Sequence, residues 1–338
     1  MSPAIAQSQT QNVANPTTRA ESTSDVGHDS HANAVNAQIA RMLRGILGKF
    51  PEAIPNPKSD AQRVDPAVLK LVQERLQKWD LGMASHLYEK AFNTAYTISV
   101  TAYNHIRSPE VQAEIALHTA MWIILDDALI PPSAVEEFVP RFCSGTAQLH
   151  PTLDRMVETC HNLKDLYATF AANIIFQTTV GSINCEHFQS ELKEDIAIRH
   201  DSVPYIKYMR SQDGISGTYA VFVWPKASFP DATEYVQAFP DTMEMIEAIN
   251  DIFSYYKEMV EGESRTLLVK LAIAHQSSEL EELEVLIERT EALIARVRGI
   301  LGEGKAREAW ESFVAGYIRY HLQARRYRLV ELLPEIQA

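Results

Sequence analysis

Cysteine is scarce in this chain. Three residues, Cys143, Cys160 and Cys185, lie far apart with no CxxC pair. That spacing argues against a disulfide framework and fits structural thiols in a reducing compartment. Basic residues are also short, 31 against 44 acidic ones, for a formal charge of -13. Such a chain has no general field to attract nucleic acid or an anionic membrane surface. If its substrate is an anion, local cations or metal ions must supply the attraction. No run reaches the roughly 18 to 20 apolar residues that a membrane span needs. The N-terminus lacks a basic stretch followed by an apolar one, and is too poor in Arg for a typical transit peptide, so the expected location is cytoplasmic. No internal repeat, no hairpin dipeptide between alternating strands and no βαβ rhythm can be found.

What is present is helix. The chain has 338 residues, 46% of them hydrophobic, enough for a sizeable core. Residues 1–35 are rich in Ser, Thr, Asn, Gln and Ala without apolar periodicity, and are expected to be a disordered tail. Residues 36–338 are expected to form one α-helical domain. A first helix is read over Asn36 to Phe50, followed by a turn at Pro51, Pro55 and Pro57. Asp65 with Pro66 is a cap followed by a first helical residue. Ser108-Pro109-Glu110 opens a helix to Leu129, stopped by Pro131-Pro132, and Ser133 caps a short helix through Phe142. Further helices are read over Asp165 to Phe188, Val203 to Arg210, Gly214 to Trp224, and Thr233 to Val260 with an interruption at Pro240. Thr266 to His275, Leu280 to Leu301 and Ala306 to Leu333 complete the chain. The fold class is therefore all-α, a single-domain helical bundle.

Chemistry concentrates in Asn250-Asp251-Ile252-Phe253-Ser254-Tyr255-Tyr256-Lys257-Glu258. Each four-residue step on a helix turns about 400°, so Asn250, Ser254 and Glu258 share one stripe. The stripe offers an amide oxygen, a hydroxyl and a carboxylate, a donor set that suits Mg²⁺. Lys257 adds a cation for an anion held by the same metal. A solvated polar helix face would show the same residues.

Three other clusters join it. Asp126-Asp127 follows the apolar segment Ile123-Ile124-Leu125, and carboxylates at the end of a buried helix are costly unless a cation relieves them. Arg210, Asp213 and Gly214 sit at a helix break, where Arg suits bidentate contact with phosphate oxygens. A plain Gly-capped helix end has the same pattern. Arg326 and Tyr327 lie in an Arg-rich segment read as part of the last helix. Taken alone, each cluster has an ordinary structural reading. Taken together, metal-ligand oxygens on two helices and phosphate donors at Arg210, Lys257, Arg326 and Tyr327 describe a site for a diphosphate with a greasy organic part.

The set resembles class I terpene synthases, in particular the fungal trichodiene synthase group. The Asn250-Asp-x-x-Ser254-x-x-x-Glu258 pattern, with Lys257, is similar to the family's second metal motif. Asp126-Asp127 matches the start of its aspartate-rich motif. Arg210, Asp213 and Gly214 look like its diphosphate sensor, linker and helix-break effector, and Arg326-Tyr327 like its C-terminal pair. The resemblance implies three Mg²⁺ ions, with Mn²⁺ the alternative, held by Asp126 and by Asn250, Ser254 and Glu258. It implies that Arg210, Lys257, Arg326 and Tyr327 bind the diphosphate of an isoprenoid substrate. It further implies a homodimer, since the group often forms dimers.

Aromatic faces could stabilise a carbocation. The candidates are Phe92, Tyr96, Trp122, Tyr219, Phe222, Phe253, Trp310 and Tyr320, with Trp122 and Phe253 ranked first for their place beside the metal motifs. Two positions depart from the family pattern. Ile130 stands where a further acidic residue is usual, on the helical face of Asp126. Ala324 replaces an acidic residue often found two before the Arg. The activity implied is a sesquiterpene cyclase acting on farnesyl diphosphate. A chain-elongating prenyltransferase and a non-catalytic helical scaffold are the competing readings.

Overall fold

The structure, a computed structural model, describes residues 25–55, 65–192 and 196–337, and among them it contains helices and turns but no strand. In chain order the helices are α1 (Asp25–Leu47), α2 (Pro66–Leu76), α3 (Ser85–Ala102), α4 (Pro109–Asp126), α5 (Pro132–Glu136), α6 (Phe138–Ser144) and α7 (Pro151–Leu166). They continue as α8 (Thr169–Glu191), α9 (Val203–Gln212), α10 (Ser216–Phe222), α11 (Phe239–Glu261), α12 (Leu267–His275), α13 (Glu279–Leu301) and α14 (Lys305–Gln323). Among the described residues no helix is long and apolar enough to cross a membrane.

The local signals act where the sequence places them. Asp65 caps α2, its Oδ1 accepting from Ala67 N at 3.0 Å and Val68 N at 3.3 Å, with Pro66 opening the helix. Ser108 and Thr266 cap α4 and α12 through their hydroxyls. Several boundaries differ from expectation. α1 begins at Asp25, so the tail expected through residue 35 is corrected for 25–35. Buried Ile39, Leu43 and Ile46 anchor this helix, and propagation back from an anchored turn costs far less than nucleation. Residues 1–24 and Pro57 lie outside the described residues. Pro240 does not interrupt a helix but opens α11, where its missing N–H costs nothing. Ser133 lies inside α5, and a second short helix, α6, follows it. α14 ends at Gln323, so Arg326 and Tyr327 sit on a separate 3-10 turn (Arg325–Tyr327) rather than on the last helix.

α4 is the helix around which the others gather. Every residue from Val111 to Trp122 is buried, and it packs against α2, α3 and α7. Two of its polar side chains are held internally. Gln112 donates to the Tyr103 carbonyl at 2.9 Å, and Glu114 pairs with Arg75 at 2.8 Å. α3 also packs on α14, and the two touch at Gly316. A Cβ there would lie 2.9 Å from Ala102 Cα and collide with the Thr101 carbonyl oxygen. α10 lies between α8 and α11, and α11 backs onto α13.

One buried group on α4 makes stability depend on pH. His118 is fully buried, with Nδ1 3.0 Å from Thr159 Oγ1. That hydroxyl gives its own proton to the Met156 carbonyl, so His118 Nδ1 is the donor. Nε2 has no hydrogen-bond partner among the described residues, and burial pushes the imidazole down from 6.5 to about 4. Between those pH values the unfolded chain binds a proton that the folded chain does not. The stability present at neutral pH is therefore lost as pH falls through this window, by about 3 kcal/mol in full. Urea titrations at pH 7 and pH 4.5 should show the wild type losing its advantage over His118→Gln. A constant difference would contradict this account.

Candidate active site

A cavity of about 860 Å³ opens between α3, α4, α8, α9, α10, α11, α12 and α14, with the C-terminal turn at its edge. Asp126, Arg210, Asp213, Gly214, Asn250, Lys257, Glu258, Arg326 and Tyr327 all line it, together with Trp122, Tyr219 and Tyr320. Residues as distant in sequence as Trp122 and Tyr327 thus share one chamber.

α4 delivers Asp126. The helix leaves the core and stops there: Asp127 is its C-cap and Ala128 takes a left-handed φ of 54°. Ala128 N bonds the Leu125 carbonyl at 2.9 Å and Leu129 N the Ile124 carbonyl at 3.3 Å, the two bonds of a Schellman ending. Ile130 therefore does not share a helical face with Asp126. It lies beyond the reversal and is buried in the core cluster that includes Ile124 and Phe138. A carboxylate at this position would be carried into apolar packing, which explains why an isoleucine stands there. Asp126 is reached by the solvent of the cavity yet enclosed by protein on most sides. Enclosure raises its carboxyl above the ordinary range, Asp213 raises it further, and Arg326 opposes both.

α11 forms the facing wall. Asn250 and Glu258 line the cavity, while Ser254 is buried behind them. Burial pushes the Glu258 carboxyl up to about 7, and the Ser254 hydroxyl bonded to it pulls the other way. Lys257 reaches Glu263 at 2.6 Å and Glu261 at 3.6 Å.

Arg210, at the end of α9, is held on three sides. Its Nε contacts Asp251 Oδ2 at 2.9 Å and Oδ1 at 3.1 Å; one terminal nitrogen donates to the Asp213 carbonyl at 3.2 Å, the other to the Glu247 carbonyl at 3.3 Å. A guanidinium has five N–H groups, so one remains on each terminal nitrogen for a ligand. Asp251 and Glu247 were not singled out from the sequence. Asp251 lies inside the metal motif but points away from its stripe, and its partner is 41 residues distant. Glu247 lines the cavity, accepts from Ser216 Oγ at 2.6 Å, and is pushed up to about 7 by burial. Gly214 has φ 72°, the left-handed region that ends α9, and its carbonyl accepts from Ser182 Oγ.

The turn Arg325–Tyr327 completes the chamber. Arg326 stacks over Tyr327, 5.5 Å from its ring centroid, within electrostatic reach of Asp126 and Asp127.

Several aromatic candidates do not reach the cavity. Phe92 packs edge-on against Tyr88 in the core cluster of α3 and α4. Tyr96 accepts from Asp65 N at 2.7 Å and pins the start of α2. Phe253 is fully buried 5.8 Å from His321, although it belongs to the metal motif. Phe222 and Trp310 are fully buried core. Of the two ranked first, only Trp122 is a wall residue.

The donors fit a divalent cation in kind. Asp126 and Glu258 are carboxyls raised by burial and by like-charged neighbours, a condition that a cation between them would reverse. With Asn250 and Ser254 they make an oxygen set of the type Mg²⁺ prefers. The set is divided between two walls, and among the described residues no three acidic, His or Cys side chains already stand together as a metal cage.

Comparison with known proteins shows the family and the fold. A family model described as trichodiene synthase (TRI5) matches residues 67–337. Monoterpene synthase 25 of Postia placenta is 32% identical over 304 residues, covering 89% of this chain and 90% of its own length. Longiborneol synthase CLM1 of Gibberella zeae is 26% identical over 282 residues, covering 81% and 82%. The solved linalool/nerolidol synthase from Streptomyces clavuligerus superposes with a TM-score of 0.51 at 15% identity, over 79% of this chain and 97% of that one. At that identity it speaks for the fold alone. The family match runs from α2 to the last turn and spans every wall of the cavity, so the chain belongs to the trichodiene synthase (TRI5) family and is a class I terpene synthase.

Proposed function

We propose that the cavity binds farnesyl diphosphate, ionises it and cyclises the resulting carbocation to a sesquiterpene with release of diphosphate. The observation that carries this reading is the convergence of Asp126, Arg210, Asn250, Lys257, Glu258, Arg326 and Tyr327 on one cavity that also has Trp122, Ile98, Ile215 and Ile246 in its walls. Mg²⁺, held by Asp126 on one wall and by Asn250, Ser254 and Glu258 on the other, would supply Lewis-acid withdrawal of electrons from the leaving group.

The chain's own groups do the rest. Arg210 offers its two remaining N–H groups, Lys257 and Arg326 add positive charge, and Tyr327 adds a hydroxyl, all where negative charge grows as the carbon–oxygen bond breaks. Both bonding electrons leave with the diphosphate, and the allyl cation stays against the apolar wall. Trp122, one helical turn from Asp126, lines the cavity there and supplies an aromatic ring that can stabilise positive charge. Cyclisation ends when the cation loses a proton or takes up water. Similarity to a longiborneol synthase favours a bridged product, and similarity to a monoterpene synthase keeps a shorter substrate in the test.

Purified protein with Mg²⁺ and geranyl, farnesyl or geranylgeranyl diphosphate, analysed by gas chromatography with mass detection, tests the proposal. A cyclised C15 product from farnesyl diphosphate is expected. A cyclised C10 product alone would move the assignment to monoterpenes, and a longer diphosphate on adding isopentenyl diphosphate would make the enzyme a chain elongator. Within this scheme Asp126 acts at the leaving group, whereas Asp127, the helix cap, attracts Arg326. Asp126→Asn should lower kcat at least about 100-fold and Asp127→Asn about tenfold or less. Equal loss in both would contradict that division.

A further inference from the structure

His321 has no part in the scheme above, yet it touches both halves of the site. It lies on α14, fully buried. Phe253, Tyr317, Tyr320 and Tyr327 surround its ring, with centroids 5.8, 4.6, 5.2 and 4.7 Å away. Nδ1 is 2.8 Å from the Tyr317 carbonyl oxygen, which can only accept, so Nδ1 carries the hydrogen. An imidazolium fully removed from water would be costly, so the ring is neutral and Nε2 is a lone-pair acceptor. Asn250 Nδ2 faces it at 3.4 Å.

That contact decides an orientation that shape alone leaves open. The two ends of a carboxamide are nearly the same size, and the hydrogen-bond partner determines which way each points. With a lone pair at Nε2, the NH₂ of Asn250 must face His321. The oxygen is then turned away from the ring and left to the cavity that Asn250 lines. If the amide were reversed, two lone pairs would meet and the NH₂ would face the cation.

We propose that His321 is a positioning residue that fixes the Asn250 amide with its oxygen toward the cation and joins that orientation, through its contact with Tyr327, to the C-terminal turn. This rests on the reading of Asn250 as a metal ligand. Residues that orient metal ligands typically change metal affinity about 10- to 100-fold when replaced.

The test is calorimetric titration of Mg²⁺ into protein with inorganic diphosphate, which reads binding without turnover. His321→Phe keeps the ring volume and the aromatic contacts and removes both nitrogens. Its Mg²⁺ affinity should fall about 10- to 100-fold. In turnover assays the Mg²⁺ requirement should rise by a similar factor, while kcat at saturating Mg²⁺ falls far less, because the cation then selects the productive amide orientation. His321→Gln, whose side-chain oxygen can accept from Asn250, should retain part of the affinity; it also serves if the Phe variant does not fold. In Asn250→Asp the two oxygens are equivalent, so adding His321→Phe should cost little further affinity. Unchanged Mg²⁺ affinity in the folded His321 variant, with affinity lost in Asn250→Ala, would overturn the positioning role and leave the metal assignment standing. Unchanged affinity in Asn250→Ala as well would overturn the metal assignment itself.

Discussion

Replacing Glu258 by Gln, or Asn250 by Ala, should reduce turnover at least about a thousandfold, the scale of losing a group that stabilises developing charge. The expectation follows from the way the chain ends α4. The reversal at Ala128 buries Ile130, so the α4 wall presents Asp126 without a second carboxylate on the same face. The α11 wall must therefore carry a larger share of cation binding. Stability should move the other way for Glu258→Gln. Burial raises that carboxyl to about 7, so above pH 7 the folded protein holds an ionised group that would be more stable in water. The variant should unfold at the same or a higher temperature than the wild type in the absence of ligand. Circular dichroism melts beside steady-state kinetics check both halves. A variant that is less stable and merely slower would indicate a structural role for Glu258.

Asp251→Ala should lose about 3 to 5 kcal/mol of stability, because it leaves the Arg210 guanidinium enclosed without its carboxylate. Side-chain exposure of the pair is 18% and 12%, so water reaching them through the cavity takes over only part of that role. Arg210→Met with Asp251→Leu should recover most of the stability, since an apolar pair avoids the desolvation cost of both charges. The double variant should remain inactive, because two N–H donors to the diphosphate are gone. Urea unfolding measures the first outcome and diphosphate release the second. A loss below about 1 kcal/mol in Asp251→Ala would place this pair with exposed ion pairs instead.

The sequence discloses what is local and hides what depends on distant partners. Asp65, Ser108 and Thr266 cap helices because a cap needs only the next three residues. The stripe Asn250, Ser254, Glu258 follows from helical period, and two of its members do line the cavity. α7 had no counterpart among the sequence expectations, although Leu153, Met156, Cys160 and Leu163 repeat at helical spacing on its buried face. Its interleaved charges masked that period.

Five of the eight aromatic candidates lie off the cavity for a different reason, while Trp122, Tyr219 and Tyr320 line it. Phe92 and Tyr96 lie on α3 and Phe253 on α11, but whether a ring faces a cavity or a neighbouring helix is set by packing between elements. The same holds for the bond between Arg210 and Asp251, and for Ile130, whose place depends on where α4 stops.

The account rests on one chemical event, loss of diphosphate from an isoprenoid substrate at the wall formed by Asn250 and Glu258. The most direct measurement is the rate of inorganic diphosphate release from farnesyl diphosphate, with Mg²⁺ and with a chelator, in the wild type and in Asn250→Ala. Release that requires Mg²⁺ and disappears in the folded variant is the predicted result. Release that persists in the chelator or in Asn250→Ala would contradict it.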